Sequence, residues 1–231
     1  LDSLASLPLA GTEEASYPFW SPDSRSIGFF ADQKLKKIDA AGGPALILCD
    51  APFGRGGTWN RDGLIVFAPN NTGELHRVNA SGGQTSAVTK LDQSRGEVTQ
   101  RWPFFLPDGE HFIFLSDTAS IAGTGTASIF VASIASGESK QLLASNSNVA
   151  YASGYLLFGR DGTLFAQPFD AKRLSLTGEA VPIAEQVQRT AGQHGRARSL
   201  KHPALGKADS RIAGPDGHSL GRARQHEIGR M

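Results

Sequence analysis

The chain has 231 residues, 39% of them hydrophobic and 19% charged, with a formal net charge of +1. That hydrophobic share can bury a core and excludes overall disorder, while the single cysteine, Cys49, excludes an internal disulfide or a thiolate zinc cluster. No apolar run approaches the roughly 20 residues that span a bilayer as a helix, and the 27 glycines and 12 prolines suit short strands broken by many turns.

The chain opens at Leu1 in mid-pattern, so it reads as a piece of a longer protein, with 1–9 as the last strand of a preceding repeat unit. The first full unit, 15–51, starts with Tyr17-Pro18-Phe19-Trp20 and turns at Pro22-Asp23. It continues as an apolar run at 27–30, a second at 35–38, the Gly42-Gly43 turn and a strand at 45–49. Cys49 ends that last apolar strand and is read as a small core residue.

The second unit, 56–92, repeats these steps: Thr58-Trp59, the Arg61-Asp62-Gly63 turn, apolar runs at 64–67 and 75–78, Gly82-Gly83, and a strand at 85–89. The third, 100–146, has Trp102-Pro103-Phe104-Phe105, Pro107-Asp108-Gly109, runs at 112–115 and 129–134, Ser136-Gly137 and Leu142-Leu143. A Gly-, Ala-, Ser- and Thr-rich insertion occupies 118–126. The fourth, 149–187, is weaker, and its Asp161-Gly162 turn falls between a different pair of strands.

From Trp20 to Trp59 is 39 residues and from Asp62 to Asp108 is 46, close to the roughly 40 to 45 of a four-stranded propeller blade. Pro-Asp and Asp-Gly turns set tight reversals, and the runs after them are apolar at every position, as strands covered on both faces must be. Asp23, Asp62, Asp108 and Asp161 therefore serve turns rather than a carboxylate site. Trp20, Trp59 and Phe105, fixed before each turn, are expected to be buried at equivalent positions.

The segments 17–30, 56–67 and 101–114 resemble the repeats of TolB-like bacterial β-propellers. They are more closely similar to the propeller region that follows the kinase domain in bacterial membrane-anchored serine/threonine kinases. The resemblance covers about residues 8–188 and implies an all-β fold, a propeller of about four blades from a larger ring of roughly six or seven. It also implies missing blades elsewhere in the parent chain, a protein or peptide partner and an extracytoplasmic, periplasmic location.

After Gln188 the pattern stops. Residues 189–231 hold nine Lys/Arg, three Asp/Glu and no aromatic residue. This basic tail reads as disordered or as misread sequence rather than as a nucleic-acid-binding arm.

H-E-x-x-H, P-loop and kinase motifs are absent, and a G-x-S-x-G match at Gly217-His218-Ser219-Leu220-Gly221 lies in the tail with no apolar strand before it to form an elbow. His76 and His111 are read as structural histidines, so no catalytic, cofactor or metal residue is assigned. Arg55, Arg61, Arg95 and Arg101 precede or enter successive turns and are candidates for a partner-binding rim, with Trp59 and Trp102 nearby. The segment itself is expected to be a non-catalytic binding module, the sensor or docking region of a receptor-like kinase. Its alternatives are a free-standing periplasmic TolB-like protein and the propeller portion of a prolyl-oligopeptidase-type hydrolase.

Overall fold

A computed structural model describes residues 8–118 and 126–187. These fall in one compact unit, Leu1–Ala197; a second unit, Arg198–Met231, lies outside the described residues. Also outside them are most of the expected preceding strand at 1–9, the insertion at 119–125 and the tail.

Four antiparallel sheets follow one another along the chain. Blade 1 is β1 (Ser16–Trp20), β2 (Ser26–Ala31), β3 (Lys34–Asp39) and β4 (Leu46–Asp50). Blade 2 is β5 (Gly57–Trp59), β6 (Leu64–Phe67), β7 (His76–Asn79) and β8 (Ser86–Ala87). Blade 3 is β9 (Glu97–Phe105), β10 (His111–Thr118), β11 (Ala127–Ser133) and β12 (Ser139–Ala144). Blade 4 is β13 (Val149–Ala152), β14 (Tyr155–Arg160) and β15 (Thr163–Asp170), whose outer edge is shared by β16 (Ser175–Leu176) and β17 (Val181–Ala184). Within each blade the strands pair in chain order, and the first strands β1, β5, β9 and β13 contact one another in succession, so these are the inner strands.

The turns work as their residues dictate. Asp23 Oδ1 accepts from Arg25 N–H at 3.1 Å, and Asp108 Oδ1 accepts from Glu110 and His111 N–H at 3.0 Å each. In blade 2 the task passes from Asp62 to Asn60, whose Oδ1 accepts from Asp62 N–H and Leu64 N–H at 3.1 and 2.9 Å. Asp161 sits between β14 and β15 with φ 49, so blade 4 places its aspartate one reversal later than the others.

Alternate residues of each second strand enter different seams. In β2, Phe30 joins Leu35, Ile65 and Phe67 between blades 1 and 2, while Phe29 packs with Ile38 on the other face. In β6, Val66 turns to the blade 2–3 seam, where it meets Phe112, Phe114 and Phe130. In β10, Ile113 and Leu115 face Leu156 and Phe158 of blade 4. Period-two side-chain alternation thus gives β2, β6 and β10 two buried faces, and each fully buried Phe stabilises by about 1.5–3 kcal/mol.

The inner strands are also stitched across the blade 2–3 seam. Trp102 N–H donates to the Arg55 carbonyl at 2.9 Å, Phe105 N–H to Thr58 Oγ1 at 3.1 Å, and Asn60 Nδ2 to the Gly109 carbonyl at 2.9 Å.

One expectation fails. Phe105 is buried in the blade 2–3 seam and Trp59 is half-buried in the blade 1–2 seam, but Trp20 is 48% exposed. The three do occupy equivalent places: Trp20 pairs with Ile27, Trp59 with Ile65 and Phe105 with Phe112, each facing away from the following blade. On that face Trp59 and Phe105 meet a preceding blade, whereas no described sheet covers Trp20.

Candidate binding site at the inner strands

A backbone kink lies within β1 and β9 and just before β5. Tyr17, Gly56 and Trp102 occupy the same repeat position with φ of 48, 90 and 53. In β1 and β9 the pairing register shifts there, between Ser16 and Phe19 and between Arg101 and Phe104, so each carries a β-bulge. Glycine enters the left-handed region freely, and Gly56 is needed for a second reason: a Cβ on it would lie 3.1 Å from Trp102 Cα. Tyr17 and Trp102 hold the same conformation with bulky side chains, at a cost of about 1–3 kcal/mol each. Bulges of this kind re-aim side chains beside binding sites.

Two arginines stand among these aromatics. The Arg55 guanidinium lies 5.9 Å from the Tyr17 ring centre, and Arg101 lies 5.4 Å from that of Trp102. Arg55 Nη1 donates to the Gly54 carbonyl at 3.2 Å. Arg101 Nη2 reaches Asp117 Oδ2 at 3.4 Å, a long contact, and its buried Nε has no hydrogen-bond partner among the described residues. Burial depresses the Arg101 pKa most, Asp117 opposes that, and the positive charge of Arg55 adds to it. Arg101 is therefore half-buried between the carboxylate of Asp117 and the positive charge of Arg55.

The other two candidate arginines lie elsewhere. Arg55 N–H pairs with the Ala68 carbonyl and Asn60 N–H with that of Leu64, so Arg55 and Arg61 mark opposite ends of one inner strand. Arg61 lines an open cleft of about 430 Å³ with Trp59, Asn60 and the Ser21-Pro22-Asp23 turn. Arg95 sits over the Phe130 ring at 4.9 Å and pairs with Asp92 and Glu97 at 3.2 and 2.9 Å. The structure thus joins Arg55 to Arg101 and separates Arg61 from them. Sequence reasoning passed over Tyr17 and Asp117; the signal for Tyr17 was its place before Pro18, in register with Trp102-Pro103 and Gly56-Gly57.

The two histidines of the described residues have local contacts. His76 packs edge-on against Phe67, and His111 Nδ1 meets Asp108 Oδ2 at 2.7 Å. Ser133, which pairs with His111 across the β10–β11 ladder, gives its hydroxyl proton to Glu110 at 2.6 Å instead. Burial pushes the half-buried Cys49 thiol up to about 12, which suppresses the thiolate. Among the described residues, no three His, Cys, Asp or Glu side chains gather to hold a metal ion, and no helix is long and apolar enough to cross a membrane.

The sequence matches no protein-family model and no curated protein sequence. Solved structures are similar in fold. TolB from Acinetobacter baumannii aligns over 74% of this chain and 43% of its own, with 17% identity and a TM-score of 0.55. A putative gluconolactonase aligns over 74% and 63%, with 14% identity and a TM-score of 0.55. A puromycin-hydrolyzing peptidase from Mycobacterium tuberculosis aligns over 73% and 32%, with 14% identity and a TM-score of 0.51. The chain covers less than two thirds of each of these structures.

Successive four-stranded sheets joined through their inner strands define a β-propeller fold. In fold it is similar to TolB, and the open sheets fit a partial propeller.

Proposed function

We propose that these blades form a non-catalytic interaction module whose inner-strand site takes a carboxylate-bearing segment of a protein or peptide partner. The observation that carries this reading is the Arg55–Arg101 pair, set beside Tyr17 and Trp102, with Asp117 as the carboxylate paired to Arg101 among the described residues. Arg and Trp at a desolvated centre are the residues that dominate binding energy, and an incoming carboxylate would satisfy the Arg101 fork.

The parent assembly is part of the same proposal. The repeat resemblance supports a role for the module as the sensor or docking region of a bacterial receptor-like serine/threonine kinase. A second reading, the propeller portion of a hydrolase, draws support from the fold likeness to the M. tuberculosis peptidase. A free-standing periplasmic TolB-like role is supported by the likeness to TolB. The complete reading frame separates the three: kinase motifs and a membrane span, a G-x-S-x-G elbow set between a strand and a helix of an α/β-hydrolase domain, or a signal peptide alone.

The binding site is tested by fluorescence anisotropy with a labelled Glu-rich peptide, its Gln-substituted counterpart and a Lys-rich control. Arg101→Gln and Arg55→Gln should each weaken the Glu-rich peptide by roughly tenfold or more, with Arg61→Gln unchanged. Equal binding of the Glu- and Gln-rich peptides would overturn the carboxylate assignment.

A further inference from the structure

Blade 3 contains a second polar recess, distinct from the inner-strand site. Arg95, Glu97, Ser116, Ser128 and Gln141 contribute to the lining of a cavity of about 450 Å³, bounded on its apolar side by Phe130 and Ala144. That volume lies within the roughly 300–1,000 Å³ of small-molecule sites.

Its charged members are already matched. Glu97, 7% exposed, accepts from Arg95 Nη2 at 2.9 Å, Asp92 N–H at 2.9 Å and Gln100 Nε2 at 3.3 Å. The Arg95 guanidinium lies 4.9 Å from the Phe130 ring centre, which braces that wall. Ser116 is different: it is 3% exposed, and its hydroxyl has no hydrogen-bond partner among the described residues. A buried hydroxyl left unpaired is costly, so a native site that retains one calls for a partner supplied from the cavity. Gln141 donates through Nε2 to Ser128 Oγ at 3.2 Å, a bond that uses neither the Ser128 proton nor the Gln141 carbonyl oxygen.

From the unpaired Ser116 hydroxyl and this internally neutralised, hydroxyl- and amide-lined cavity, we infer that blade 3 binds an uncharged polyhydroxyl compound of sugar size. The lining offers both donors and acceptors, as hydroxyl groups require, and offers no unmatched charge to select an ion.

The test is ligand-observed NMR titration of the full 231-residue chain with D-glucose and maltose, and with glucosamine and glucuronate as charged counterparts. Saturable binding of a neutral sugar is expected, with both charged analogues weaker. Ser116→Ala and the exposed-site variant Gln141→Ala should each weaken the neutral sugar by roughly five- to tenfold. Ser116→Ala should melt no lower than the parent chain without sugar, since it removes an unpaired buried group. Absence of saturable binding by either neutral sugar, stronger binding of a charged analogue, or affinity unchanged in both variants would each overturn the inference. Because Arg55 and Arg101 take no part in this cavity, Arg101→Gln should leave sugar binding intact.

Discussion

Trp20 and Phe105 occupy one position of the repeat, yet Trp20 is 48% exposed and Phe105 is 9% exposed. What differs is the neighbour. Phe105 meets Phe112 edge-on at 6.1 Å inside the blade 2–3 seam, where Phe114 and Phe130 stack at 5.7 Å. The corresponding face of blade 1 holds Phe29, Ala31 and Ile38, with Leu9, Ala15, Ile27 and Ala45 packed partly against them among the described residues. A propeller repeat therefore encodes half of each of two seams, and the burial of a residue belongs to the pair of blades rather than to its own.

The comparison can be broken most forcefully at the seam. Phe114→Ala, at a side chain with no exposure, should cost about 3–5 kcal/mol in a urea melt. A loss below about 1 kcal/mol would mean that blades 2 and 3 do not share a tight core.

Next comes crowding at the blade 1–2 seam, where the Phe19 ring rests on two glycines. A Cβ at Gly57 would lie 2.6 Å from that ring and one at Gly28 2.4 Å from it. Gly57→Ala should destabilise by about 1–3 kcal/mol through overpacking. A neutral or stabilising result in the same melt would show that Phe19 does not sit between the blades.

Trp20→Ala sharpens the contrast from the other side, with an expected loss of about 1 kcal/mol or less in this chain. A loss equal to that of Phe105→Ala would mean that Trp20 is covered after all.

The smallest effect is on the acid limb. Burial acts to raise the Asp108 pKa, but hydrogen bonds from His111 and Glu110 N–H and the His111 ring outweigh it, and the net shift is downward. At Asp23 the Ser21 hydroxyl and the Arg25 N–H lower it likewise. A carboxylate whose folded pKa lies below its unfolded value of about 3.9 contributes stability that is complete above that value and lost as pH falls through the folded one. Asp108→Asn should therefore flatten the fall in melting temperature below about pH 4 and leave the profile near neutrality parallel to the parent's. An unchanged acid limb would remove Asp108 from the turn's hydrogen bonding.

The strands and their order were legible because turn chemistry and apolar runs coincide. Pro22-Asp23, Asp62-Gly63 and Pro107-Asp108 each precede a run that becomes β2, β6 or β10, buried on both faces. What remained hidden depends on contacts between blades, which a single repeat does not state. The exposure of Trp20 reflects the absence of a described neighbour, and the separation of Arg61 from Arg55 reflects which end of β5 each occupies. The left-handed backbone of Tyr17 and Trp102 was masked by side chains that rarely adopt it. Ser116 gave no sign, since an unpaired hydroxyl is a matter of what fails to surround it.

The stitching of β5 to blade 3 bears on how the chain is made. The Phe105–Thr58 and Asn60–Gly109 bonds join residues 47 and 49 positions apart, about one repeat. Each link is thus complete once the second of its two blades has left the ribosome, without waiting for distant sequence. Growth of this kind is vectorial: a finished blade is the template on which its successor settles, and all-β folding is spared much of the delay that distant pairings impose.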